Sequence, residues 1–596
     1  MSQIDLTDEQ RLIAEHVTGV FVEACPGSGK TRTVVARVAR IASILPPRKG
    51  IAILSFTNSA VEEFISRCHL RGINAFNHPS FIGTFDSFLF RFFISPSGLV
   101  DISERPIIVD SWKTLGIEIR LKGINSFRGA GVTLDMFDAA TDKIDHLKVS
   151  HSGLRKHVLD HQEAYESAAK RRRKGLLRLG YLSAADARVE ALQRLNNPEW
   201  SNALGSALAA RFKEIIVDEA QDCNPLDLRI LEWLRKHGVN VSIFADPDQA
   251  IYGFRYGNPC ELLSFSKSYG VTNCLRLTGN FRSTHSICAL AASLRARENP
   301  DEAIGNTAKI NIPIHILTYH GVSVPKEIST WFLQVVKENN IQTADAIILA
   351  HGRRVARRAC GLTDVTDTGG DSKVAKIASV VGEFNSSITS KRARENALRT
   401  VERMILEMMG KIEEIETPAH AAERKKIDRR WLRRTALQIV SKLPKSCDNS
   451  DNGRIRWITT LREQVRRHNL DYRKGTTERT YFRKPIKIDW QNYIQEYNSI
   501  NNVECATIHE AKGREYDAVC VVIPPDTGGN MFTSQLLTAW ENRANSEAKR
   551  VIYVGLTRAK KLVTLAIPAV FIDKLKTMLQ DRFVNLELHE IDTARA

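Results

Sequence analysis

The run Cys25-Pro26-Gly27-Ser28-Gly29-Lys30-Thr31 follows a short apolar stretch, Phe21-Val22-Glu23-Ala24, and opens a segment of helical period (Val34, Val35, Val38, Ile41). A buried strand, a glycine-rich turn and a helix beginning Gly-Lys-Thr form a phosphate cradle. Gly27 and Gly29 let backbone N–H groups converge on an anion, and the helix N-terminus adds its positive end. Lys30 supplies a point charge for the β- and γ-phosphates, and Thr31 a hydroxyl for Mg²⁺. Ala24 stands where the strict pattern has its first glycine. A second apolar run, Glu214-Ile215-Ile216-Val217, leads straight into Asp218-Glu219. Such a strand places Asp218 at the carboxyl edge of a parallel sheet, where ligands bind. There Asp218 holds Mg²⁺ and Glu219 orients and deprotonates a water. The pair of motifs predicts ATP hydrolysis.

The chain has to supply a large scaffold for this site. Its 596 residues correspond to about four domains at roughly 150 residues each. Hydrophobic residues at 43% and charged residues at 26% exclude a largely disordered or fibrous chain. Lys and Arg total 85 against 68 acidic residues, a net charge of +17. That excess suits a polyanionic partner, nucleic acid before a membrane surface, with a basic surface kept for solubility as the alternative. The polar N-terminus does not read as a signal peptide, and no apolar run approaches the roughly 20 residues of a membrane span. Ten scattered cysteines without a Cys-x-x-Cys pair argue against zinc ribbons and disulfide frameworks. A reduced cytoplasmic protein with no membrane partner is expected.

Further blocks carry a resemblance. Leu6-Thr7-Asp8-Glu9-Gln10, Ser55-Phe56-Thr57-Asn58-Ser59-Ala60 and Gly83-Thr84-Phe85-Asp86-Ser87-Phe88 are followed by Val217-Asp218-Glu219-Ala220-Gln221-Asp222. Asp246 to Arg255 and Gly279-Asn280-Phe281-Arg282-Ser283 come next. Thr507-Ile508-His509-Glu510-Ala511-Lys512-Gly513-Arg514-Glu515-Tyr516 and Arg550 to Lys560 complete the set. In content and order the chain resembles a superfamily 1 DNA helicase of the UvrD/Rep/PcrA type. The resemblance implies an α/β fold: two RecA-like parallel-sheet domains of the P-loop NTPase class with two mainly helical insertion subdomains. It also implies ATP, with Mg²⁺, in a cleft between those domains.

Site roles follow from the same resemblance. Gln10 would read the adenine edge, Phe281 would stack on it, Arg32 would contact the nucleotide and Glu515 would hold the ribose. Gln249 would complete the catalytic set with Lys30, Asp218 and Glu219, while Arg282 and Arg558, from the second domain, would meet the γ-phosphate as arginine fingers. Ala24, Cys25, Pro26 and Ser28 complete the phosphate loop. Single-stranded DNA is gripped by stacking bases on aromatic rings at about 1–3 kcal/mol per base. Phe56, Phe85, Tyr252 and Phe254 match such positions, with Arg255, His509, Thr84 and Thr507 as polar contacts. A core role is the alternative for each ring.

The motif order gives a domain plan. Residues 1–95 and 211–274 build the first RecA-like domain, and 96–210 a helical insertion that includes the basic run Lys170-Arg171-Arg172-Arg173-Lys174. That run is either a phosphate contact or an exposed charged helix face. The second RecA-like domain takes 275–355 and 501–575, with a basic helical insertion at 356–500 and a C-terminal tail at 576–596. The expected activity is 3′-to-5′ translocation on single-stranded DNA and unwinding of tailed duplexes. Asp86, where the housekeeping enzymes usually carry His, and the short chain resemble UvrD-like proteins of defence systems such as Gabija. A DNA- or nucleotide-responsive ATPase regulating a partner nuclease is therefore the second expectation, and a repair protein is the other class of partner.

Overall fold

The computed structural model describes residues 5–73, 77–96, 106–109, 111–112, 117–121, 131–149, 152–251, 259–295, 301–361, 373–385, 391–412, 418–445, 450–483, 503–527, 531–580 and 585–591. Tyr252, Phe254 and Arg255 lie outside these. The chain divides into two compact units, residues 1–312 with 539–561, and residues 313–538 with 562–596.

The first unit is built on a six-stranded sheet in the order Phe81–Thr84, Gly50–Ser55, Phe212–Val217, Val241–Ala245, Phe21–Ala24, Cys274–Leu277. Its strand pairings are all parallel. Successive residues feed opposite faces, as the two-residue period of a strand demands. Phe21, Ala52, Leu54, Ile215, Val217 and Ile243 pack in one core. Val22, Ile51, Ile53, Ile216 and Phe244 pack in another. Strands buried on both faces read as continuous apolar runs, which is why Phe21–Ala24 and the run before Asp218 stood out in the sequence.

Arg37, wholly buried on the helix Lys30–Ser43, ties this unit together. Its Nε and Nη2 donate to the Glu214 carboxylate at 2.7 and 3.1 Å, and its remaining N–H groups reach the carbonyls of Ile13, His16 and Thr18 at 2.7, 2.9 and 2.8 Å. All five guanidinium donors are used.

The described residues of 96–210 are mainly helical, with Ser152–Asp160, Gln162–Arg178, Ala184–Leu195 and Pro198–Arg211 and a short parallel pair, Ile107–Val109 with Tyr181–Ser183. On the helix Gln162–Arg178 the buried positions are Tyr165, Ala169, Arg173 and Leu176, so helical period separates the members of the basic run. Arg173 points inward onto Asp142 at 2.7 Å and onto Asp186, while Lys170, Arg171, Arg172 and Lys174 face solvent.

The second unit holds a second six-stranded sheet in the order Glu504–Thr507, Ala346–Ala350, Tyr516–Val522, Ala559–Pro568, Ile314–Tyr319, Leu586–Glu590. The last of these comes from 576–596, the range expected to be a tail. It pairs in parallel with Ile314–Tyr319. The insertion in this unit carries its own helical core, with Val374, Val401, Leu432, Trp457 and Leu461 buried. Two of its helices are Pro418–Arg424 and Arg429–Lys442. Lys426 takes the left-handed conformation between them (φ 53°), and the Asp428 carboxylate accepts the Arg430 N–H at 2.8 Å to start the second. No helix among the described residues is long and apolar enough to cross a membrane.

Replacing Arg37 with Met strands Glu214 in the core, and losing one partner of a buried pair costs about 3–5 kcal/mol. Chemical denaturation should show that loss for Arg37→Met, and partial recovery in Arg37→Met/Glu214→Leu.

Candidate functional site

The first sheet brings three sequence-distant loops to one edge. The strand Phe21–Ala24 ends in the phosphate loop, its neighbour Val241–Ala245 ends in Asp246, and the next strand, Phe212–Val217, ends in Asp218. Gly27 and Gly29 adopt φ of 70° and 75°. A Cβ on Gly27 would sit 2.5 Å from Arg282 Cβ and Asn280 Oδ1, and one on Gly29 would sit 2.6 Å from Gln10 Nε2. Gly29 caps the helix Lys30–Ser43, leaving the first N–H groups of that helix at the loop. Gln10 Nε2 donates to the Ser28 carbonyl at 2.9 Å, and its helix starts with a Thr7 capping box. Arg32 donates to the Asp5 carbonyl, and Thr31 sits half-buried beside Lys30.

Lys30 Nζ lies 2.6 Å from Glu219 Oε1 and 3.6 Å from Asp218 Oδ1. Burial disfavours the ammonium charge, but Glu219 and then Asp218 outweigh it and hold the group above its ordinary range. Burial is also the main cause that pushes Asp218 up to about 6, against the pull of Lys30. Glu219 sits in the left-handed region (φ 56°), which costs a side-chain-bearing residue roughly 1–2 kcal/mol. Its carboxylate accepts from Gln221 Nε2 as well as from Lys30.

Asp246 is the group that sequence reading passed over within its own motif. Burial pushes it up to about 7, with Arg295 opposing. Its N–H donates to Gln221 Oε1 at 3.0 Å, and Gln249 Nε2 donates to its carboxylate at 3.0 Å. On the other side of Gln249, Arg558 Nη2 donates to Oε1 at 3.0 Å, and Arg558 Nε donates to the Val554 carbonyl at 3.1 Å. Arg282 Nη1 donates to the Thr557 carbonyl at 3.0 Å. Phe281, partly exposed, donates its N–H to the Gly27 carbonyl at 2.9 Å.

Arg282 and Arg558 were expected on the second domain. The segments that hold them group with the first unit instead. Buried Arg295 gives the physical reason: it pairs with Asp248 at 3.3 Å and Asp301 at 2.6 Å and donates to Tyr553 Oη. Arg550 Nε also donates to the Ala250 carbonyl at 2.6 Å. No local pattern in the sequence marks Arg295, because its partners lie in three separate segments.

The remaining residues divide between the units. In the first, Phe56 stacks on Phe85 (centroids 5.7 Å apart, planes 8° apart), with Phe85 buried beneath it. Thr84 accepts the Ser87 N–H at 3.1 Å. Asp86 pairs with Arg188 at 2.8 Å, and Arg188 is held by Asp227 at 2.6 Å. In the second unit, Thr507 caps the helix Ile508–Ala511, His509 lies 5.7 Å from the His351 ring, and Glu515 is exposed before its strand.

The loop fits a polyphosphate: the cradle has no room for a Cβ, and buried Ser28 Oγ has no hydrogen-bond partner among the described residues. Comparison with known proteins agrees. Residues 6–270 match the UvrD/REP helicase N-terminal domain and residues 373–568 the UvrD-like helicase C-terminal domain. The chain is 24% identical to ATP-dependent DNA helicase UvrD2 of Mycobacterium tuberculosis over 606 residues, 94% of this chain and 78% of that protein. Against DNA helicase II of Escherichia coli it is 27% identical over 301 residues, 49% of this chain and 41% of that protein. ATP-dependent DNA helicase PcrA of Leuconostoc citreum matches at 24% over 299 residues, 47% of this chain and 37% of that protein. Two domain matches that together span most of the sequence, over two parallel sheets, settle its kinship: the chain belongs to the UvrD-like family of ATP-hydrolysing DNA helicases.

Proposed function

We propose that the chain couples ATP hydrolysis to 3′-to-5′ movement along single-stranded DNA and opens duplexes that carry a 3′ tail. The observation that supports this best is the shared contact of Lys30 with Glu219 and Asp218, one hydrogen-bond network away from Gln249 and Arg558.

Binding is then an exchange of partners. The N–H groups of the loop around Gly27–Gly29 take the phosphates of ATP, and Lys30 turns from Glu219 to the β/γ oxygens. Gln10 and Phe281 hold the base, with Arg32 and Glu515 as outer contacts. Mg²⁺ would be held by Thr31 and Asp218, and when bound it neutralises charge on the phosphates. Release from Lys30 frees Glu219 to accept a proton from the attacking water. Arg558, positioned by Gln249, and Arg282 stabilise the charge that spreads over the transferred oxygens. Loss of the γ-phosphate withdraws the anion that both arginines face, and this charge change drives the step along DNA.

Phe56, layered on Phe85, offers a ring for base stacking, with Tyr252 and Phe254 as further rings and Thr84, Arg255, Thr507 and His509 as polar contacts. The second reading, a DNA-responsive ATPase of a defence system acting beside a nuclease, is favoured by Asp86. That acid is committed to Arg188 and offers phosphate no cation. Strand displacement on a 3′-tailed duplex decides between the two. Displacement supports the motor, and DNA-stimulated ATPase without displacement supports the second reading.

Lys30→Ala should abolish ATP turnover. Glu219→Gln should keep ATP binding, measured by equilibrium titration, and lose at least about a hundredfold in kcat. Arg558→Ala should lower kcat by about 10³-fold or more with little change in ATP affinity; a pure binding defect would remove it from the finger role.

A further inference from the structure

We propose that His315, Glu587 and His589 form a site for a zinc-class divalent transition metal on the second unit, independent of the nucleotide chemistry. His315 lies on the strand Ile314–Tyr319, and Glu587 and His589 on the edge strand Leu586–Glu590. The two strands run parallel with His315 opposite Glu587 and Leu317 opposite His589. Residues two apart share a face, so register alone sets all three side chains on one side of the sheet.

The spacing favours an ion over a plain hydrogen-bonded cluster. His315 Nδ1 lies 3.3 Å from His589 Nε2 and 3.5 Å from Glu587 Oε2, and His589 Nε2 lies 3.6 Å from the same Glu587 oxygen. Hydrogen bonds between such groups settle near 2.7–3.2 Å. Three ligands held about 2.0–2.2 Å from a tetrahedral centre stand roughly 3.3–3.6 Å from one another, one face of a tetrahedron. Two imidazoles and one carboxylate suit Zn²⁺ and its neighbours rather than Mg²⁺ or Ca²⁺. Among the described residues no other group of three His, Cys, Asp or Glu side chains converges in this way.

The surroundings are built for it. The Trp331 ring stands 4.7 Å from the His589 ring and 6.0 Å from that of His315, so both imidazoles are backed by an aromatic wall. The His315 side chain is 6% exposed and that of Glu587 54%, which leaves a route to solvent and a fourth position for water. The site pins an edge strand that meets the sheet through Ile314–Tyr319 only. An ion bound by the folded form alone stabilises it by mass action.

The test uses the full-length, untagged chain, stripped with chelator and free of nucleotide, titrated with Co²⁺ alone. One equivalent should bind with the visible absorption of four-coordinate cobalt, and Zn²⁺ should displace it. Glu587→Gln and His589→Ala should each weaken binding by more than the roughly 10–100-fold that loss of a supporting contact costs. Zn²⁺ should raise the thermal unfolding midpoint of the parent chain and not that of either variant, with both variants melting near the parent when metal is absent. Equal cobalt uptake by parent and variants, or no uptake by the parent, would overturn the site and leave a hydrogen-bonded His–His–Glu cluster only.

Discussion

The buried ammonium of Lys30 is the charge around which the first unit is organised. An ammonium taken out of water needs compensation, and the fold supplies it from a strand that is not adjacent to the one bearing the phosphate loop. Only a parallel sheet that inserts Val241–Ala245 between those two strands places Asp218, Glu219 and Asp246 together at the same edge. The same constraint accounts for the strained backbone at Glu219, whose left-handed turn aims its carboxylate back at Lys30. Three cations of the site contact groups of the chain itself: Lys30 meets Glu219, Arg558 meets Gln249, and Arg282 meets the Thr557 carbonyl. On the proposed reading, a polyphosphate would enter by displacing these internal partners, and its binding would release Glu219 at the same step.

Much of this was legible in the sequence because it is local. A glycine-rich turn between a strand and a helix, or an acidic pair after an apolar run, is a pattern of neighbours, and neighbours are what a sequence displays. The strands Phe21–Ala24 and Phe212–Val217 were visible for the same reason, being runs of mostly apolar residues. The groups that hold those elements together were not. Arg37 and Glu214 are 177 positions apart, and Arg295 reaches Tyr553 across 258. Nothing beside Arg37 in its helix marks which carboxylate it will meet.

Two features read from the sequence changed meaning once placed on elements. The run Lys170–Lys174 looked like one basic surface, yet helical period turns Arg173 inward, where two carboxylates neutralise it, and leaves its neighbours in water. Asp86 looked like a mismatch with a DNA-contacting position. The structure gives it a different function: it shares Arg188 with Asp227, and removing it would alter the balance around a buried guanidinium.

The C-terminal segment shows the limit of motif-based reading most plainly. Nothing in 576–596 resembles a helicase block, so the range read as a tail, and a tail needs no partner. Yet a strand of five residues at a sheet edge must satisfy its backbone groups, and it does so in register with Ile314–Tyr319: Thr318 Oγ1 donates to the His589 carbonyl at 3.0 Å, and the Ile591 N–H donates to the Thr318 carbonyl at 2.9 Å. That register has a chemical consequence. A slip by one residue would turn Glu587 and His589 to the opposite face and scatter them from His315. Strand pairing and the gathering of three metal-competent side chains are thus one constraint, and a bound ion would act on the fold through the same bonds that place its ligands.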